Sequence, residues 1–416
     1  MHQSSSLTRR FLLAAKYEEI HTLEQLQKSC LTLIKIGNLV HQLQKERAMS
    51  NIYLASNASR FSAELKEQII LVSNNQTELL DSFEKNYLLV KPGSGDARLF
   101  NLITYALQGL EALPALRNRV REQAFTPKNA TTAFNQIIGT LLNVFLEATD
   151  VANDPVITKI LVAFFNFMQG KEYAGQERAC GAAAFASNTF NEQTKEQLEQ
   201  CQQGQKRCFE FFIEYADDVL KNAFDAFEQH PSCTQITQLR DMLLQLIQGN
   251  NDELSQISEV WYGVTTERID VLHQVELQIA DHLVFSAAQQ ILISKRHLKD
   301  HKQALESLTL KQSSHILETN NKQAYSENIA QSKFSSNKTM YDLITEQSEY
   351  IRQINSALDE ARTVIKEQKT INQAKYILIE QLKITENEAH AQLQKQAMDS
   401  QKSVYAIAQK IMSLVD

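Results

Sequence analysis

At 416 residues and 47.4 kDa, with 43% hydrophobic residues, the chain is long enough for two or three domains with real cores. It holds only 11 Gly and 5 Pro, and neither type occurs after Gly263, which argues against sheet-rich folds and against an α/β enzyme with a glycine phosphate loop. A net charge of −7 with a pI near 5.9 speaks against a cationic nucleic-acid coat or an anionic-membrane binder, though not against one local basic face. An all-α protein is expected, its C-terminal third built of long helices rich in Ala, Leu, Gln, Glu and Lys.

The N-terminal segment, residues 1–24, carries Thr8-Arg9-Arg10-Phe11-Leu12-Leu13, which looks superficially like a twin-arginine export signal. Its apolar stretch ends at Lys16, Glu18 and Glu19, too short for an export segment. No window approaches the roughly 20 uncharged apolar residues of a membrane helix, so a soluble, cytoplasmic chain without membrane contact is expected. The five cysteines (Cys30, Cys180, Cys201, Cys208, Cys233) have neither a disulfide framework's even number nor metal-ligand spacing, which suits reduced thiols.

The next element repeats. Lys45-Glu46-Arg47-Ala48 returns as Gln176-Glu177-Arg178-Ala179, and Leu54-Ala55-Ser56-Asn57 as Phe185-Ala186-Ser187-Asn188, each 131 positions on. Upstream, Leu26, Cys30, Leu33, Gly37 and Val40 follow four- and three-residue steps that place them on one helix face. Their counterparts are Ile157, Leu161, Phe164, Met168 and Lys171, so the stripe recurs except at its last member. The same steps lead on through Gln44, Arg47, Asn51 and Leu54, and through Gly175, Arg178, Ala182 and Phe185. Asn153-Asp154-Pro155 supplies a helix N-cap and a first-turn proline where the second copy's helix starts.

Both seams therefore carry an arginine where a core residue is expected, and a buried guanidinium stays charged, so something must neutralise it. In one reading Glu46, Glu177 or glutamates of neighbouring helices form structural ion pairs with Arg47 and Arg178. In the other, two bundles meet with both arginines lining a pocket for a small planar oxyanion, which accepts parallel hydrogen bonds from the guanidinium fork. Periodicity leaves both open.

The stretch Leu39-Val40-His41-Gln42-Leu43-Gln44-Lys45-Glu46-Arg47-Ala48-Met49-Ser50 resembles the signature of the nitrate- and nitrite-sensing NIT domain, with Ala48 where that family usually has Gly. The resemblance extends over residues 25–295, through Lys171-Glu172-Tyr173-Ala174-Gly175-Gln176-Glu177-Arg178-Ala179 and Trp261 to Glu267-Arg268-Ile269-Asp270. It implies two packed four-helix bundles with arginines holding nitrate or nitrite between them. Arg47 and Arg178 match by motif, and Arg240, in Ile236-Thr237-Gln238-Leu239-Arg240-Asp241-Met242, is a third candidate or else a surface ion-pair partner.

A helical connector, residues 296–344, leads to a second 4-3 pattern of Met340, Ile344, Gln347, Ile351, Ile354, Leu358, Ala361 and Ile365, which reads as a coiled-coil seam and makes a homodimer the economical assembly. Ile371, Ala374, Leu378 and Leu382 then continue into a small three-helix bundle. Thr385-Glu386-Asn387-Glu388 would open its second helix as a capping box, and Asp399 or Ser400 would cap the last.

From Ala357-Leu358 and Ile371-Asn372-Gln373-Ala374-Lys375 through Ala389-His390, Leu393-Gln394 and Ala397-Met398 to Val404-Tyr405-Ala406-Ile407-Ala408, the module at residues 345–416 resembles the ANTAR RNA-binding domain. Tyr376 replaces the usual Gly, His390 the usual aromatic and Gln394 a common Arg; His can still stack on a base and Gln can still bond a base edge. Residues 351–416 hold nine Lys or Arg against eight Asp or Glu, a balance that permits a basic face without predicting one. Lys375, Lys395 and Lys402 are the phosphate-contact candidates, each of which could equally be a solvated surface lysine.

Together the two resemblances imply a nitrate- or nitrite-responsive transcription antiterminator. Anion binding would free the ANTAR domain to hold stem-loops of a leader mRNA upstream of nitrate-assimilation genes. No catalysis or cofactor is expected, since no Ser/His/Asp arrangement, metal cluster or nucleotide loop stands out. The competing expectations are an anion sensor acting by protein–protein contact without RNA, and a coiled-coil scaffold whose arginines are all salt-bridged.

Overall fold

The computed structural model describes residues 2–89, 97–150, 152, 154–187, 192–246, 254–319, 327–382, 384 and 386–414, and all regular structure among them is helical. The all-α class follows from the scarcity of Gly and Pro. Helix α1 (His2–Ala55) packs on α2 (Ser62–Phe83, continued by a π-helical turn at Glu84–Leu88) and on α5 (Pro127–Asp150). Helices α3 (Ala97–Glu111) and α4 (Leu113–Arg121) close that group against α5. A second group forms where α6 (Pro155–Ser187) packs on α7 (Glu192–Tyr215) and α10 (Leu254–Thr319), with α8 (Asp218–Glu228) and α9 (Pro231–Leu246) also against α10. Contacts of α1 with both α6 and α10 join the groups.

The two copies of the repeat are α1 and α6, and their apolar stripes enter one core: Cys30, Leu33 and Val40 from the first, Ile157, Leu161, Phe164 and Met168 from the second. Lys171, where the stripe breaks, is fully buried and ion-paired to Glu276 of α10. Glu276 also meets the Nδ1 of His273, whose ring stacks on His41 at 3.6 Å between centroids. The helices α1 and α10 run antiparallel, since Lys45 pairs with Asp270, Glu24 with Lys295, and Tyr17 with Lys302. Residues 2–24 and the start of the connector are thus continuous helical extensions of α1 and α10.

Where glycine is scarce, other residues take the left-handed conformation at turns: Asn57, Ala58, Phe61, Gln123 and Gln401 have φ between 51° and 65°. Each costs roughly 1–2 kcal/mol that flanking packing must offset. Asp154 performs the capping at α6, its carboxylate accepting from Ile157 N at 2.9 Å with Pro155 in the first turn, while Asn153 lies outside the described residues.

The C-terminal module comprises α11 (Glu327–Leu382), α12 (Glu386–Ser400) and α13 (Val404–Met412), sharing a core of Ala374, Leu378, Ala389, Leu393, Ala397, Ile407 and Ala408. The expected cap of the last helix is corrected. Asp399 and Ser400 still belong to α12, which ends where Gln401 turns left-handed, and Ser403 caps α13 by accepting from Ala406 N at 3.2 Å. The seam residues Met340, Ile344, Gln347 and Ala361, with the capping residue Thr385, lie outside the residues whose side chains are described. Further along that seam Ile351 is exposed, while Leu358 is buried and Ile365 enters the main core of the N-terminal helices.

Candidate functional site

Two consecutive residues do opposite jobs in each repeat. Glu46 and Glu177 point toward their own helical groups, and each accepts a two-point bond from a neighbouring arginine. Arg117 of α4 donates through Nε and Nη2 to Glu46 at 2.8 Å each, and Arg240 of α9 does the same to Glu177 at 2.7 Å each. Although burial raises its pKa, the Arg240 fork and the Arg268 charge hold Glu177 below the ordinary carboxylate range. Adjacent helix residues face different directions, so Arg47 and Arg178 are turned the other way, toward the junction of α1, α6 and α10.

Arg47 and Arg178 are both fully buried there, with relative exposures of 0% and 1%. Arg47 is met by Glu172 of α6: Nη1 donates to Oε1 at 2.5 Å and Nη2 to Oε2 at 3.3 Å, with Nη1 also reaching Asn135 Oδ1. Gln44 and Gln176 each donate to the same carboxylate, at 2.7 and 3.0 Å. Arg178 differs. Its Nη1 donates to the Thr266 hydroxyl at 3.2 Å and its Nη2 to the Gln44 carbonyl at 3.1 Å, with the Tyr262 ring 5.8 Å away. Its Nε is buried with no hydrogen-bond partner, as is that of Arg47. Burial, with the Arg47 charge adding to it, pulls the Arg178 pKa down. Two guanidinium groups and one carboxylate leave this junction one positive charge in excess, which suits a small planar monoanion.

Arg240 is not placed with this pair: its Nε and Nη2 are spent on Glu177. The structure brings in Gln44, Asn135, Glu172, Gln176 and Thr266 instead, which the sequence reading did not single out as site residues. Of these, Gln44 lies on the seam at the step before Arg47, and its counterpart in the second copy is Gly175. That glycine has a steric role, since a Cβ there would lie 2.6 Å from Arg47 Nη2. Gly175→Ala is expected to displace the guanidinium, to cost about 1–3 kcal/mol as an overpacked site, and to weaken anion binding; thermal melting and calorimetric titration of the variant check both effects.

The candidates in the C-terminal module divide by exposure. Lys395 and Lys402 are exposed, whereas Lys375, expected on a basic surface, is 5% exposed and cannot reach a phosphate in this arrangement. His390 and Gln394 line a cleft against α7 of the N-terminal region. There His390 Nε2 contacts Arg207 Nη1, and burial together with the Arg207 charge pushes the imidazole pKa down to about 2, keeping it neutral. Tyr376 is likewise engaged, its hydroxyl accepting from Asn143 Nδ2 of α5 at 2.6 Å. Lys369 pairs with Glu147 of α5 at 3.0 Å, and Gln368 donates to Asn166 of α6 at 2.7 Å. Thus α11 and α12 are docked on α5, α6 and α7, with Ile365 buried beneath.

Among the described residues no group of His, Cys, Asp and Glu has metal-binding geometry, and no helix is long and apolar enough to cross a membrane.

Comparison with known proteins agrees with both modules. A family model described as nitrate and nitrite sensing (NIT) matches residues 38–284, and the ANTAR domain matches residues 359–412. The nitrate regulatory protein of Klebsiella oxytoca is 30% identical over 395 residues, spanning 94% of this chain and 91% of its own. A solved structure of the NasR transcription antiterminator superposes with a TM-score of 0.62 at 27% identity, covering 96% of this chain and 97% of that one.

Proposed function

The chain belongs to the NIT family of nitrate and nitrite sensors, and from that membership, joined to its ANTAR domain, we propose that it works as a nitrate-responsive transcription antiterminator. Its sensor is the junction of α1, α6 and α10, where Arg47 and Arg178 hold nitrate or nitrite. Arg240 serves as the clamp on Glu177, and Arg117 does the same for Glu46 in the other copy. The observation that carries the reading is Arg178, a buried guanidinium with no carboxylate bonded to it and a bare Nε. A planar anion offers its fork what Glu172 offers Arg47.

The output is RNA binding by the ANTAR domain. Lys395 and Lys402 contact phosphates from the exposed side, and His390 and Gln394 reach bases once they leave the α7 cleft. Lys375 joins them only if the module rearranges. The docked arrangement supports a two-state mechanism in which the anion shifts the equilibrium toward undocking by its differential affinity for the two states. The RNA partners are tandem stem-loops of a leader mRNA. The assembly is a homodimer formed through the exposed part of the α11 seam, working in the cytoplasm without catalysis.

A gel shift with the leader of the neighbouring nitrate-assimilation operon, with and without nitrate, tests this. Hairpin binding that appears only with nitrate is the expected result, and absence of hairpin binding in both conditions overturns it.

A further inference from the structure

Glu172 is held in an arrangement that its role as a counter-ion does not require. A buried arginine can be neutralised by one carboxylate oxygen, yet both oxygens of Glu172 are engaged, by Nη1 and Nη2 of Arg47, while the amides of Gln44 and Gln176 close the two sides. Gly175 lets the guanidinium lie close over α6, and the carboxylate itself is 3% exposed. This is a complete receptor for a planar, delocalised oxyanion presenting an O,O edge: one fork, two amides and a buried wall. A carboxylate and nitrate share that planar edge and that single negative charge.

We propose that Glu172 is an internal competitor of the sensed anion: its carboxylate lies in the Arg47 receptor, nitrate takes that place by exchange, and Glu172 thereby sets the concentration at which the sensor responds. The inference rests on the reading of Arg47 and Arg178 as the nitrate site and adds a residue that opposes binding. Exchange gives nitrate an advantage that Glu172 lacks, because an untethered anion can settle between both guanidinium groups, whereas of the two Glu172 bonds only that of Arg47. It also breaks the Arg47–Glu172 tie between α1 and α6, and α6 is one of the helices on which α11 is docked. Loss of the internal carboxylate and movement of the output helix are thus linked through one element.

The test is calorimetric titration of the full-length protein with sodium nitrate at constant ionic strength, in the parent, Glu172→Gln, Glu172→Asp and Glu172→Ala forms. Glu172→Gln is expected to bind nitrate roughly 10- to 100-fold more tightly, within the usual span of a coupling free energy. Glu172→Asp keeps the charge but withdraws it from the fork by one methylene, so tighter binding there too separates occupancy of the receptor from through-space repulsion, and it decides the matter if Glu172→Gln fails to fold. In Glu172→Ala, added formate should bind and compete with nitrate, an effect absent from the parent. Nitrate binding by the parent with equal or weaker binding by Glu172→Gln and Glu172→Asp overturns the competitor role. Absence of nitrate binding in every form, all folded by circular dichroism, overturns instead the reading of the site on which it rests.

Discussion

Replacing Arg178 with Met is expected to abolish the nitrate response while leaving the protein as stable as the parent or more so. The expected sign of the stability change follows from the partners. Arg178 is buried, its charge is met by a hydroxyl and a backbone carbonyl rather than by a carboxylate, and Arg47 repels it. Exchanging such a group for an apolar side chain of similar length removes an uncompensated desolvation cost, and buried ionic groups replaced in this way are often neutral or stabilising by about 1–4 kcal/mol. The binding loss is large, because a two-point charged hydrogen bond contributes about 3 kcal/mol or more, a factor of at least ~100 in Kd. Arg47→Met should behave differently. It leaves Glu172 buried beside two neutral amides and costs about 3–5 kcal/mol in addition to the binding loss. Thermal melts and nitrate titrations of the two variants side by side provide the check. An Arg178→Met protein that binds nitrate with parental affinity would place the site elsewhere.

Glu147→Lys should make RNA binding independent of nitrate. Glu147 is 3% exposed, bonded to Lys369 of the output helix and also to Arg98 at 3.3 Å, so a lysine there sets three cations together at the docking face. The substitution lies entirely on the sensor side and leaves every candidate RNA contact in place. If docking restrains the ANTAR domain by a typical coupling of about 1–3 kcal/mol, hairpin affinity without nitrate rises about 5- to 150-fold. Asn143→Ala, which removes only the bond to the Tyr376 hydroxyl, should give a smaller rise of a few-fold, the share of one hydrogen bond. Gel shifts without nitrate measure both. Parental affinity in Glu147→Lys would mean that this contact does not restrain the output domain.

The docking contacts change the meaning of two residues. Tyr376 and His390 stand out in the sequence as departures from the ANTAR pattern, and considered within that domain alone they bear only on RNA affinity. In the folded chain both touch the sensor, Tyr376 through Asn143 and His390 through Arg207. A residue's partner 233 or 183 positions away leaves no trace in local spacing, so this use could not be read from the segment that carries it.

Helicity is legible along the chain because residues that break helices are scarce, and α1 and α6 are legible as copies with an arginine in each core stripe because a repeat and a helical period are local properties of the chain. Its two family signatures followed from the same local order. Which acid meets which arginine depends on how the helices pack. Glu46 and Glu177, next in sequence to Arg47 and Arg178, are on another side of the helix and went to Arg117 and Arg240, while Arg47 found Glu172 and Arg178 found no carboxylate to bond. Neighbours along a helix diverge by about 100°, so ion pairing in a core is settled by which helices lie across the gap. It is that choice, made between α1, α6 and α10, that leaves Arg178 buried with no carboxylate bonded to it.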